Sequence, residues 1–133
     1  METTLSLPRT SSTQRWAGRI FTGLAAAFMI MDGVMKLLVI APVIEAQTHL
    51  GFPVELSAAI GALELVCLAL HLFPRTSLLG AVLLTGFLGG ATAIHVRIGD
   101  PFYFPVLMGI LLWAGLHLRD ERARALFPVR RNG

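Results

Sequence analysis

The chain has little charge and little cysteine, and long polar spacers do not separate its apolar runs. Only 14% of its 133 residues are charged, against about 25% in ordinary soluble domains. Apolar residues make up 55% and the mean hydropathy is +0.71, so the polar surface that a soluble fold of this length needs is missing. The single cysteine, Cys67, excludes an internal disulfide and any CxxC redox or metal pair. A lone cysteine in an apolar run acts as a small apolar residue. No two or three His or Cys residues are closely spaced, so no metal is expected. Phosphate-loop, nucleophile-elbow and dinucleotide signatures are absent. Any redox role therefore needs a bound cofactor or a partner.

The basic balance, with a net charge of +3 and a pI near 10.0, does not point to nucleic acid. The arginines sit at the chain ends and in one turn, beside apolar runs, where membrane topology signals belong. Four such runs are present, at Trp16–Ile40, Leu56–Phe73, Ser77–Val96 and Tyr103–Leu118. A helix crosses a hydrocarbon core of about 30 Å in about 20 residues. The runs lack the period-two alternation of barrel strands, and a helix satisfies its own backbone in lipid. The expectation is an all-α four-transmembrane-helix bundle over residues 15–119, with polar tails at 1–14 and 120–133. The fourth run is short, and three crossings are the alternative. Phe102, Tyr103, Phe104 and Trp113 suit interface anchors for it. The flank of Arg9, Arg15 and Arg19 also fits a cleaved signal peptide. Against that reading, the first run is long, holds Asp32 and Lys36, and precedes no clear cleavage site.

Orientation follows from basic residues. Arg9, Arg15, Arg19, Arg75, Arg119, Arg122, Arg124, Arg130 and Arg131 fall on one side, and Arg97 alone on the other. The positive-inside rule places both termini in the cytoplasm. The outer loop, Val43–Glu55, has apolar positions Val43, Ile44 and Leu50 that suit a short interfacial helix, broken by Gly51 and Pro53. Gly86 and Gly90 form a GxxxG on the third run. This spacing suits packing within the bundle, or a dimer face.

Ionisable residues inside the runs are the most informative feature. Each costs about 2.5–3.5 kcal/mol on insertion scales, so such groups are paired or face the bundle interior. At 1.5 Å per residue, Lys36 lies about 6 Å and Asp32 about 12 Å from the outer end of the first run. Glu64 lies about 12 Å from the outer end of the second. His95 lies within a turn of the outer end of the third. Asp32 and Lys36 share a helix face, and Glu64 can approach from the next helix. His95 can hydrogen-bond either acid. Thr92 and Thr85 can donate to the site or to their own backbone. This set forms either a structural ion pair that fixes helix register or a ligand or proton-transfer site. In the second case Asp32, Lys36, Glu64, Thr92 and His95 bind the ligand, and Glu64 and His95 exchange protons. His71 and His117 read as interfacial, and His49 as a weak cover for the site.

The segments Asp32-Gly33-Val34-Met35-Lys36, Leu50-Gly51-Phe52-Pro53, Ile60-Gly61-Ala62-Leu63-Glu64-Leu65, Pro74-Arg75-Thr76 and His95-Val96-Arg97-Ile98-Gly99-Asp100 occur in an order that resembles the DoxX-like family. The resemblance covers roughly Ala25 to Leu118. It implies a small four-helix protein of the bacterial inner membrane, with Lys36, Glu64 and His95 at motif positions and Asp32 beside them. Part of the wider family is linked to thiosulfate:quinone oxidoreductase or to membrane redox assemblies, and many members have no known activity. The resemblance makes a quinone a candidate cofactor, and a redox protein or a second copy a candidate partner. Three functions follow: a redox-associated subunit with a quinone-like site, a non-catalytic scaffold, and, last, a small carrier. Four short helices without inverted repeats argue against the carrier.

Overall fold

The computed structural model describes residues 10–126. Most of the expected N-terminal tail, and the end of the basic C-terminal tail, lie outside the described residues. The first helix, α1, runs Ser12–Leu38, earlier than the apolar run predicts. The cause is a capping box: Ser11 accepts from the Gln14 amide, and the Gln14 side chain accepts from the Ser11 amide. These bonds satisfy two of the orphan groups at the helix start. Its 27 residues rise about 40 Å.

Val39 closes α1 in the left-handed region, at φ 49°. The chain then turns into α2, Ala41–Leu50, with Pro42 in its first turn. Proline fits there because that amide needs no partner. The segment between the first two apolar runs therefore holds the short helix expected, ended by Gly51 at φ 69°. A 3-10 turn at Val54–Leu56 leads into α3, Ser57–Leu72. After a turn at Pro74, α4 spans Ser77–Ile98. Then come α5, Tyr103–Arg119, and a short α6, Glu121–Leu126.

Helix α1 packs against α3 and α5, and α4 packs against the same two. The four long helices thus form an up-down ring in which each neighbour is antiparallel. Its centre is filled by Ala25, Met29, Leu68, Leu84 and Leu112. The outer surface is also apolar: Leu63, Val66, Val82 and Ile110 are more than half exposed. Water does not tolerate such a surface at this density, and lipid does. Three helices, Ser12–Leu38, Val54–Leu72 and Ser77–Ile98, are long and apolar enough to cross a membrane. Helix α5 is apolar but shorter, at 17 residues.

Close helix contact comes from glycines other than the GxxxG pair. A Cβ on Gly61 would lie 2.6 Å from the Gly33 carbonyl oxygen, and one on Gly18 would lie 2.8 Å from that of Gly115. Gly80 abuts the His71 backbone in the same way. At Gly86 and Gly90 a Cβ would meet nothing within 4 Å. The reading of that pair as bundle packing is corrected: both are exposed on α4. Trp113, expected as an interface anchor, also ties two helices together. Its Nε1 donates to Thr85 Oγ1 of the neighbouring helix α4 at 2.7 Å.

Candidate functional site

Glu64 follows Gly61 by three residues on α3, less than one helical turn, so the close approach of Gly33 and Gly61 sets its distance from α1. Beside this crossing Lys36 of α1 donates to Asp32 one turn back and to Glu64 of α3, the latter at 3.0 Å. A bulkier residue at either glycine would hold α1 and α3 apart and lengthen the second bond. Ser57 adds a further tie, its Oγ donating to the Lys36 carbonyl at 3.1 Å. The Glu64 side chain is 3% exposed, against 20% for Lys36 and 31% for Asp32. The acid on the second helix is therefore the deepest member. The Lys36 ammonium also sits 5.5 Å from the Phe87 ring centroid, a cation–π distance.

The three residues stand in the wall of a cavity of about 480 Å³, lined by α1, α2, α3, α4 and the start of α5. Its remaining lining is mostly apolar and aromatic, including Phe28, Phe52, Phe87 and Met108. Phe28 and Phe104 meet at 4.3 Å between ring centroids. Helix α2 covers one side, contributing Val43, Ala46, Gln47 and Leu50. Two exposed contacts hold α2 to the far end of α4: Arg97 donates to the Leu50 carbonyl at 2.7 Å, and His49 Nε2 pairs with Asp100 at 2.7 Å.

His95 lines the same cavity but reaches neither acid. Its Nδ1 bonds the Ala91 carbonyl of its own helix at 2.7 Å. Thr92 lies apart from the lining, its hydroxyl donating to the Leu88 carbonyl at 2.7 Å. Thr85 likewise turns to its own helix, at the Ala81 carbonyl. The reason is common to these residues: a short polar side chain inside a helix bonds most easily to the carbonyl four residues back. Of the expected set, then, Asp32, Lys36 and Glu64 form one hydrogen-bonded group, His95 shares its cavity, and Thr92 does not. His49 is on the outer rim in its pair with Asp100, outside the cavity lining.

His71 is a correction. It was expected at the interface and is fully buried. Its Nδ1 bonds the Ser77 carbonyl at 2.9 Å, and Arg119, 3.5 Å from Nε2, also donates to Thr22 Oγ1 at 3.2 Å. This second polar knot ties α1, α3, α4 and α5 at the end opposite the cavity. One signal in the sequence points to it. Ser57, Gly61, Glu64, Leu68 and His71 recur at intervals of four and three, the period of one buried helix stripe. His71 thus lies on the Glu64 face. Gln47, which lines the cavity with 6% exposure, was also unmarked. It is the only polar uncharged residue at the α2 spacing of Val43 and Leu50, which reveals the covering face of that helix.

An up-down ring of apolar helices, with an apolar outer surface and charged groups turned into a cavity, defines a multi-pass integral membrane protein. The chain belongs to the DoxX-like family, whose profile matches residues 20–115. That span contains every residue of the cavity wall and bears out the resemblance drawn from the motifs. Comparisons with curated proteins and with solved structures find no match.

Proposed function

We propose that the protein is a redox-associated subunit of the bacterial inner membrane, and that its cavity binds a small lipophilic, quinone-like ligand. One observation carries this reading: Asp32, Lys36, Glu64 and His95 converge on an apolar cavity instead of a close-packed core. A structural staple alone needs no such space, because helix association favours close packing around a polar pair. Concave, mostly apolar sites with a few convergent polar groups are the usual form of a small-molecule site. In this reading the aromatic wall holds the ring or tail and Glu64 and His95 exchange protons with the ligand. With four crossings and both termini in the cytoplasm, the cavity lies in the outer half of the membrane.

Native mass spectrometry of protein extracted gently from its own membrane tests this reading. The expected spectrum contains a bound lipophile of a few hundred daltons, reduced in occupancy by Glu64→Gln. Protein that carries no lipophile, and binds no added quinone, would sink the proposal. The second reading, a non-catalytic scaffold, draws on the complete pairing of Lys36 by two acids. It predicts that Lys36→Met combined with Glu64→Leu preserves function in a folded protein.

A further inference from the structure

The hydrogen-bonding capacity left over in the cavity has one sense. Lys36 has three N–H groups and commits two of them, to Asp32 and Glu64. His95 Nδ1 faces a carbonyl oxygen, so that nitrogen carries the hydrogen, and Nε2 of the neutral ring presents a lone pair. Among the described residues, nothing donates to Nε2. Asp32 and Glu64 each accept from Lys36 at one carboxylate oxygen, and a carboxylate has lone pairs beyond the one such a bond uses. The side-chain carbonyl of Gln47 is buried and has no hydrogen-bond partner among the described residues. Buried polar atoms in native proteins are nearly always satisfied, and an exception calls for a partner that is not part of the chain. The unspent groups are therefore chiefly acceptors, on α1, α2, α3 and α4, around one apolar space.

We infer that the cavity selects ligands that donate hydrogen bonds, and that within the lipophilic class proposed above it takes the hydroxyl form, a hydroquinone or phenol, in preference to the quinone. The inference rests on the ligand reading of the cavity and names its chemical class. A quinone carbonyl finds one uncommitted lysine N–H and the Gln47 amide hydrogens, and it meets carboxylate oxygens with its own lone pairs. A hydroxyl donates to a carboxylate, in the stronger charge-assisted kind of bond, or to His95 Nε2 or Gln47. A site built to bond a hydroxyl rejects the analogue that lacks it, because its buried acceptors are left unpaired. No electron transfer is required for this preference.

The test compares three probes of similar shape: a decyl-hydroquinone, the matching decyl-benzoquinone, and the dimethyl ether of the hydroquinone. Each is titrated under argon into the full chain in phosphatidylcholine nanodiscs, with empty nanodiscs subtracted. The hydroquinone is expected to bind at least about tenfold tighter than either analogue. Gln47→Leu is expected to weaken the hydroquinone several-fold and leave the quinone unchanged. The same substitution should leave the midpoint of thermal unfolding of ligand-free protein unchanged or raised, since it removes an unpaired buried carbonyl. Equal or tighter binding of the quinone or the ether overturns this inference alone. Failure of all three probes to bind overturns the ligand reading as well. The wild-type comparison decides the matter even if Gln47→Leu does not fold.

Discussion

Gly61→Ala adds one methyl group at the crossing of α1 and α3. Its Cβ would lie 2.6 Å from the Gly33 carbonyl oxygen, 2.8 Å from Lys36 Cβ and 3.0 Å from the Leu37 nitrogen. Comfortable contact between heavy atoms begins near about 3.5 Å, and all three neighbours are backbone or Cβ atoms that cannot rotate away. Helix α1 must withdraw by roughly the difference, and that movement pulls Lys36 from Glu64. Overpacking of this kind costs about 1–3 kcal/mol. Gly86→Ala is the control, because its Cβ meets nothing within 4 Å, and alanine favours the helix by about 0.8–1 kcal/mol. Unfolding in mixed micelles, followed by the fluorescence of the two tryptophans, measures both. The expected result is a clear loss for Gly61→Ala and none for Gly86→Ala. Equal losses, or a neutral Gly61→Ala, would show that α1 and α3 do not meet as described.

Three further outcomes are expected. Lys36→Met leaves Asp32 and Glu64 facing each other without their cation and should cost about 3–5 kcal/mol. In the same unfolding assay, adding Glu64→Leu should recover a large part of that loss. Val39→Gly should stabilise the chain by about 1 kcal/mol, because a β-branched residue at φ 49° carries strain that glycine lacks; a lower unfolding midpoint would count against that strain. The Thr10 amide donates to Glu121 at 2.9 Å, and this bond, followed by the nearby Arg15, holds the Glu121 carboxyl below its ordinary value of 4.5. A depressed carboxyl stabilises the fold above its unfolded value and ceases to do so as pH falls through the folded one. The Thr10 amide resonance should thus be constant above about pH 5 and shift as the carboxyl protonates below 4.5. Glu121→Gln should abolish that titration, and a shift that survives the substitution would assign it to another group.

Much of this architecture was legible in the residues. Run length and the break residues Pro42, Gly51, Pro74, Gly99 and Pro101 marked the long helices and the outer helical segment. The depths of Asp32, Lys36 and Glu64 agreed because helical rise is fixed, so counting residues amounts to measuring distance. Other features depend on rotation about the helix axis or on contacts between distant segments, and counting along one run does not supply them. His95 reaches the cavity and Thr92 does not, and the carbonyl four residues back offered each a nearer partner than the acids. Gly86 and Gly90 matched a packing motif by spacing, yet neither meets a neighbouring helix; Gly90 lines the cavity, and the close contact of α4 is at Gly80. His71 was judged by distance from Pro74, when its interval from Glu64 carried the orientation. The cavity itself arises where α2 folds back beside α4 over the end of the bundle, and a linear reading contains no term for it.

The central claim is that the Lys36 ammonium and the Glu64 carboxylate meet inside the bundle, at the end that α2 covers. Lys36 is the only lysine in the chain, so a single ¹⁵N-lysine label reports on it without ambiguity. Solid-state NMR in lipid, with ¹³C at glutamate side-chain carboxyls, measures the coupling between the two groups. The separation of 3.0 Å between Nζ and the carboxylate oxygen predicts strong dephasing that is lost in Glu64→Gln. A lysine signal with no dephasing from glutamate, in folded wild-type protein, would contradict the account.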